Sequence, residues 1–119
     1  MSDDHPIAIA PAEGRVVVRW RGRTIADTRR ALELREHVYP PVFYIPREDA
    51  DMALFARSAH ETTCPYKGRA SYFSLREGES VDIDAVWTYE TPIAGVAAIK
   101  DHLAFYPDRV DAIEEQAAA

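Results

Sequence analysis

Apolar positions fall in short β-branched or aromatic runs set apart by turn-forming residues, a spacing that predicts strands. Residues 15–20 (RVVVRW) end at Arg21-Gly22, and residues 23–26 read as the return strand of a hairpin. Residues 30–36 are ambiguous: Ala, Leu and Glu favour helix, yet Leu32 and Leu34 alternate with charges as in an edge strand. Pro40-Pro41 stops that element, because proline removes a donor and restricts its predecessor. Residues 42–45 form a short strand closed by Pro46. A helix is predicted over 48–58, with Glu48, Asp49 and Asp51 at its positive end and Arg57 near its negative end.

Beyond a loop at 59–68, strands are predicted at 70–75, 81–89, 103–106 and 110–113, with a short helix at 92–100. In the longest strand, Val81, Ile83, Ala85, Trp87 and Tyr89 share one face, and Asp82, Asp84 and Thr88 the other. The fold class is therefore mainly β, or β-rich α+β: a compact antiparallel domain with one or two short helices. Residues 1–13 read as a flexible lead-in, 14–113 as a single domain and 114–119 as a frayed tail.

Composition narrows the partners. A net charge of −6, from 14 basic and 20 acidic residues, disfavours nucleic acid and anionic membranes. No apolar run approaches the roughly 20 residues of a transmembrane helix. The N-terminus lacks signal-peptide character, and the single cysteine fits a reducing compartment, so the expected location is cytoplasmic. The four histidines show no ligand spacing, so no metal site is expected.

The chemistry is concentrated between His60 and Phe73, which hold the only cysteine, a lysine and two phenols. Cys64 could act as a nucleophile or redox group, with Lys67 and Arg69 favouring its thiolate and His60 as its base. The plainer reading is a buried packing cysteine. Pro65-Tyr66-Lys67-Gly68 suits a tight turn, which would leave Lys67 at an exposed corner. Tyr44, Tyr66, Tyr72, Trp87, Tyr89 and Tyr106 come from at least four predicted elements and either fill a small β core or line a pocket. Lys67 and Arg109 could then hold a carboxylate or phosphate. On that reading Lys67→Ala abolishes binding and leaves the melting temperature nearly unchanged.

Several blocks carry a family resemblance. Thr63-Cys64-Pro65-Tyr66-Lys67-Gly68, Ala70-Ser71-Tyr72, Ala85-Val86-Trp87-Thr88-Tyr89 with Pro92, and Ala104 to Val110 resemble the domain of unknown function 427 family. Thr24 to Thr28 and Tyr44 to Asp49 add to it, so the resemblance spans roughly residues 15–112. It implies a β-tent-like domain, similar to methionine sulfoxide reductase B but without the paired cysteine zinc ligands. It implies no established activity.

The family is sometimes filed under a nucleotidyltransferase-like heading, for which Asp82-Ile83-Asp84 offers an Asp-x-Asp. Gly78 and Ser80, however, lie too close to those aspartates for the usual turn, helix and strand. The leading expectation is a small-molecule-binding domain, with catalysis left open and any cofactor unknown. Tyr66, Lys67, Tyr72, Trp87, Tyr89, Tyr106 and Arg109 would bind the ligand, and Cys64 and His60 would act if chemistry occurs. The alternative is an interaction or homodimerisation module without chemistry.

Overall fold

A computed structural model describes residues 6–117. The chain forms β1 (Ile7–Pro11), β2 (Arg15–Trp20), β3 (Arg23–Thr28), β4 (Leu32–Glu36), β5 (Val42–Pro46), β6 (Phe55–Cys64), β7 (Gly68–Glu77), β8 (Ser80–Pro92), β9 (His102–Phe105) and β10 (Ala112–Gln116). Its helical content is short 3₁₀ segments, at Arg47–Asp49, Met52–Leu54, Ala94–Ile99 and Pro107–Arg109. Seven strands pair in the order β1-β4-β5-β9-β8-β7-β6, and three in the order β10-β2-β3. All the paired strands run antiparallel, and neither sheet closes into a barrel, so the fold is mainly β, as the sequence predicts.

The large sheet buries both faces, and strand alternation decides which residue goes where. On one side Ile45, Phe73, Leu75, Val86, Leu103 and Phe105 meet Val16, Val18, Trp20 and Ile25 of the small sheet. On the other, Tyr44, Ala70, Tyr72, Tyr89 and Ala104 pack with Val96 and Ile99 of the 3₁₀ segment 94–99, and Trp87 lies against them. The tyrosines and Trp87 of the middle strands thus share the face turned away from the small sheet, and the phenylalanines face it.

The structure corrects several sequence expectations. No helix spans 48–58; two 3₁₀ turns there give way to β6, which also takes up most of the loop expected at 59–68. Phe55 is drawn onto Phe73 and Phe105, with ring centroids 6.1 and 6.0 Å away, while β6 gains its ladder with β7. These long-range contacts outweigh a weak local helix preference. The ambiguous stretch 30–36 supplies β4, and the short helix expected at 92–100 is 3₁₀ over Ala94–Ile99.

Both termini are more ordered than expected where they are described. Ile7–Pro11, expected within the lead-in, pairs with β4, and β10 runs to Gln116 against β2, past the expected start of the tail. Residues 1–5 and 118–119 lie outside the described residues.

Alternation along 81–89 also fails at one point. Between Leu75↔Asp82 and Phe73↔Val86 the register shifts, and Asp84 takes φ 52°. Val81 and Ile83, expected on the buried face with Trp87, are exposed. Asp82, expected to face solvent, turns inward and accepts a 2.7 Å hydrogen bond from the Trp20 indole.

Candidate functional site

A pocket of about 180 Å³ opens on the aromatic face of the large sheet. Tyr44, Tyr72, Trp87, Tyr89 and Tyr106 line it, together with Glu36 and Lys67. Four of the rings come from three strands: Tyr44 from β5, Tyr72 from β7, and Trp87 and Tyr89 from β8. Trp87 pairs across to Tyr72 on one side and Ala104 on the other. Alanine at 104, on the strand between Trp87 and Tyr44, is small enough for those two rings to meet over it. They do so edge to face, with the Trp87 indole donating a 3.2 Å hydrogen bond to the Tyr44 hydroxyl.

The turn between β6 and β7 delivers Lys67. Its amide donates to the Cys64 carbonyl at 3.3 Å, closing a turn with Pro65 second, and its carbonyl accepts from Ile93 at 2.9 Å. Gly68 follows at φ 114°, a conformation costly for any side chain, and the chain enters β7. The turn aims Lys67 inward rather than to the exposed corner that turn chemistry implies. Lys67 is only 8 % exposed, and its ammonium pairs with Glu36 from the end of β4. The two side chains are 10 % and 16 % exposed, so the ion pair is largely removed from water.

Burial holds three of the phenols neutral, those of Tyr44, Tyr89 and Tyr106. Burial pushes Tyr44 up to about 12, against a smaller opposing effect of its bond to Trp87. Tyr89 is raised mainly by burial, and Tyr106 by burial and then by its contact with Tyr72. A chain of hydroxyls links Thr62 to Tyr72 at 2.9 Å and Tyr72 to Tyr106 at 3.4 Å. The ring of Tyr106 lies 4.5 Å from that of Trp87. The pocket therefore offers aromatic walls, neutral hydroxyls, and one ion pair presenting a donor beside an acceptor.

Five of the residues expected to bind ligand converge here: Lys67, Tyr72, Trp87, Tyr89 and Tyr106. Tyr66 instead faces outward from the turn, 43 % exposed. Arg109 lies in a neighbouring pocket, with its guanidinium on the Ile83 carbonyl. Cys64 packs against the cluster beneath the pocket.

The His60 ring packs tilted against Tyr72, with ring centroids 4.5 Å apart and planes 50° from parallel. His60 lies four residues from Cys64 along β6, a backbone rise of roughly 13 Å in a regular strand, and its ring is engaged by Tyr72. Glu36 and Tyr44 complete the pocket without having been expected as ligand contacts. Tyr44 was visible among the rings, but nothing in the sequence marks Glu36 as the partner of a lysine 31 positions on.

Asp82 and Asp84 do not act as a pair. Asp82 is engaged by Trp20 and lies 3.6 Å from Arg21, while Asp84 faces the Arg109 pocket. Among the described residues no three His, Cys, Asp or Glu side chains are grouped to hold a metal, and no helix is long and apolar enough to cross a membrane.

Fold and site together define a small antiparallel β domain with an aromatic pocket on the outer face of its larger sheet. The chain belongs to the family described as domain of unknown function (DUF427), whose model matches residues 8–116. A search of curated proteins found no match.

Proposed function

We propose that this domain binds a small organic molecule in the Tyr44–Trp87–Tyr106 pocket. The buried Lys67–Glu36 pair among five aromatic residues is the observation that carries this reading. Withdrawing an ion pair from water costs several kcal/mol per ion before attraction offsets it, and a well-packed apolar pair is often as stable. Its retention beside an open pocket fits a recognition role, with Lys67 donating to the ligand and Glu36 accepting from it. The volume equals the liquid share of about six waters, so the ligand is a fragment-sized planar molecule bearing a donor and an acceptor.

The expected anion contact is reduced by Glu36, which already balances the Lys67 charge. This reading keeps the protein in the cytoplasm and requires no chemistry at Cys64. The test is a thermal-shift screen against nucleotides, sugar phosphates, organic acids and thiol compounds, with and without Mg²⁺. A ligand raises the melting temperature by mass action. The proposal expects a hit that Lys67→Met abolishes, and a hit unchanged in that variant contradicts it.

One observation favours the interaction module as a second reading. Val38 and Tyr39 are 81 % and 59 % exposed, and Tyr39 borders an apolar groove of about 630 Å³ that runs from Ile113 to Trp87. Concentration-dependent dimerisation in light scattering, lost in Val38→Asp, would support it; a monomer at all concentrations would remove the homodimer form.

A further inference from the structure

Tyr72 and Tyr106 wall a second pocket, of about 340 Å³, completed by His60, Asp84, Asp108 and Arg109. Asp84 is half-buried there, and Asp108 and Arg109 are exposed. Many other arginines find carboxylates, as in Arg15–Asp27, Arg30–Asp49 and Arg57–Glu90. Among the described residues, no ion pair engages Asp84, Asp108 or Arg109. Arg109 donates through Nη1 to the Ile83 carbonyl at 2.9 Å, and no other hydrogen bond of its fork is seen among those residues.

Asp84 is the sharper case. Its backbone is held at φ 52° in the β8 bulge, and its amide is fixed on the Ser74 hydroxyl at 3.0 Å. Its Oδ1 is buried, and among the described residues it has no hydrogen-bond partner. A buried carboxylate oxygen without a partner is costly. Aspartate tolerates the positive φ, as asparagine would, so the backbone alone does not require the charge.

We propose that this pocket binds a small zwitterion of the free amino acid class. Its ammonium would sit against Asp84 and Asp108, and its carboxylate on the open side of the Arg109 fork. Two carboxylates against one guanidinium leave excess negative charge, so the ammonium is the required half of the ligand. The carboxylate is the selective half, because an amine alone leaves the guanidinium without an anion. The Tyr72 and Tyr106 hydroxyls supply hydrogen bonds on the wall shared with the aromatic pocket. Asp84, Asp108 and Arg109 lie outside the Lys67–Glu36 pocket, so this site is additional to the one under the proposed function.

The test is a ¹H–¹⁵N NMR titration of the full chain with the twenty free amino acids, their N-acetyl derivatives and the corresponding decarboxylated amines. At least one free amino acid should shift the Asp84 and Arg109 amides and leave the Trp87 indole N–H in place. N-acetylation and Asp84→Asn should each weaken that binding at least tenfold; asparagine tolerates the positive φ, which keeps the backbone intact. Arg109→Gln should weaken the amino acid tenfold and its decarboxylated amine hardly at all. Absence of binding by every amino acid, or equal binding by the N-acetyl forms or by Asp84→Asn, overturns the proposal. Shifts at the Trp87 indole with the Asp84 amide unmoved would place the zwitterion in the aromatic pocket and overturn it as well.

Discussion

Lys67 shows how one residue can change meaning between sequence and structure. As the corner of a Pro-Tyr-Lys-Gly turn it would be a dispensable surface cation. Folded, it is buried against Glu36, so its removal strands a carboxylate that is only 16 % exposed. Lys67→Met should therefore cost about 2–4 kcal/mol in chemical denaturation, somewhat reduced because Glu36 keeps some water. Adding Glu36→Gln should recover most of that loss. A single variant as stable as the native chain would show that the pair is not closed in solution. The binding test on Lys67 must therefore be read at a temperature where the variant is folded.

Tyr44 ties stability to alkaline pH. Its hydroxyl is neutral in the fold up to about 12, against an ordinary 10, so its protonated form is favoured by folding. That contribution is complete below pH 10 and is lost as pH rises towards 12. Tyr44→Phe should be less stable at neutral pH by about 1–2 kcal/mol, because the Trp87 indole loses its acceptor. It should also lose less stability than the native chain between pH 10 and 12. Denaturation followed across that range checks both signs.

At the level of elements, local chemistry was a good guide wherever pairing was also local. The Arg21-Gly22 hairpin and the short strands at 15–20, 23–26 and 42–45 follow from β-branched runs and turn residues. The stretch 48–58 misled because its acidic start and Arg57 imitate helix signals, whereas from Phe55 on the ladder with β7 decides its conformation. The bulge at Asp84 was equally hidden: alternation holds from Val81 to Ala85, and the apolar run Ala85-Val86-Trp87 beyond it reads as ordinary strand. The Cys64–Gly68 turn is the element on which the site most depends. A Cβ at Gly68 would stand 3.3 Å from the Thr91 carbonyl at a φ of +114°. Gly68→Ala should accordingly cost about 1–3 kcal/mol in thermal or urea unfolding. A neutral effect would mean that the turn relaxes and does not fix Lys67.

For the whole molecule, the decisive feature is that one sheet buries both faces. The face towards the small sheet is aliphatic and phenylalanine-rich and makes the core. The opposite face carries the tyrosines and Trp87, whose polar tips meet one another and the Lys67–Glu36 pair. The rings were legible in the sequence as a group, because they sit in strands at alternating positions. Their carboxylate neighbours were not: Glu36, Asp84 and Asp108 reach the two pockets through strand order and a bulge.

The two tryptophans permit a direct test of the aromatic pocket. Trp87 lines it and bonds to Tyr44, while Trp20, 1 % exposed in the other core, bonds to Asp82. A fragment library titrated into ¹⁵N-labelled protein should yield compounds that move the Trp87 indole N–H and leave that of Trp20 unmoved. Those shifts should vanish in folded Lys67→Met. A library that never moves the Trp87 indole, or moves it equally in the variant, would contradict the ligand-binding account.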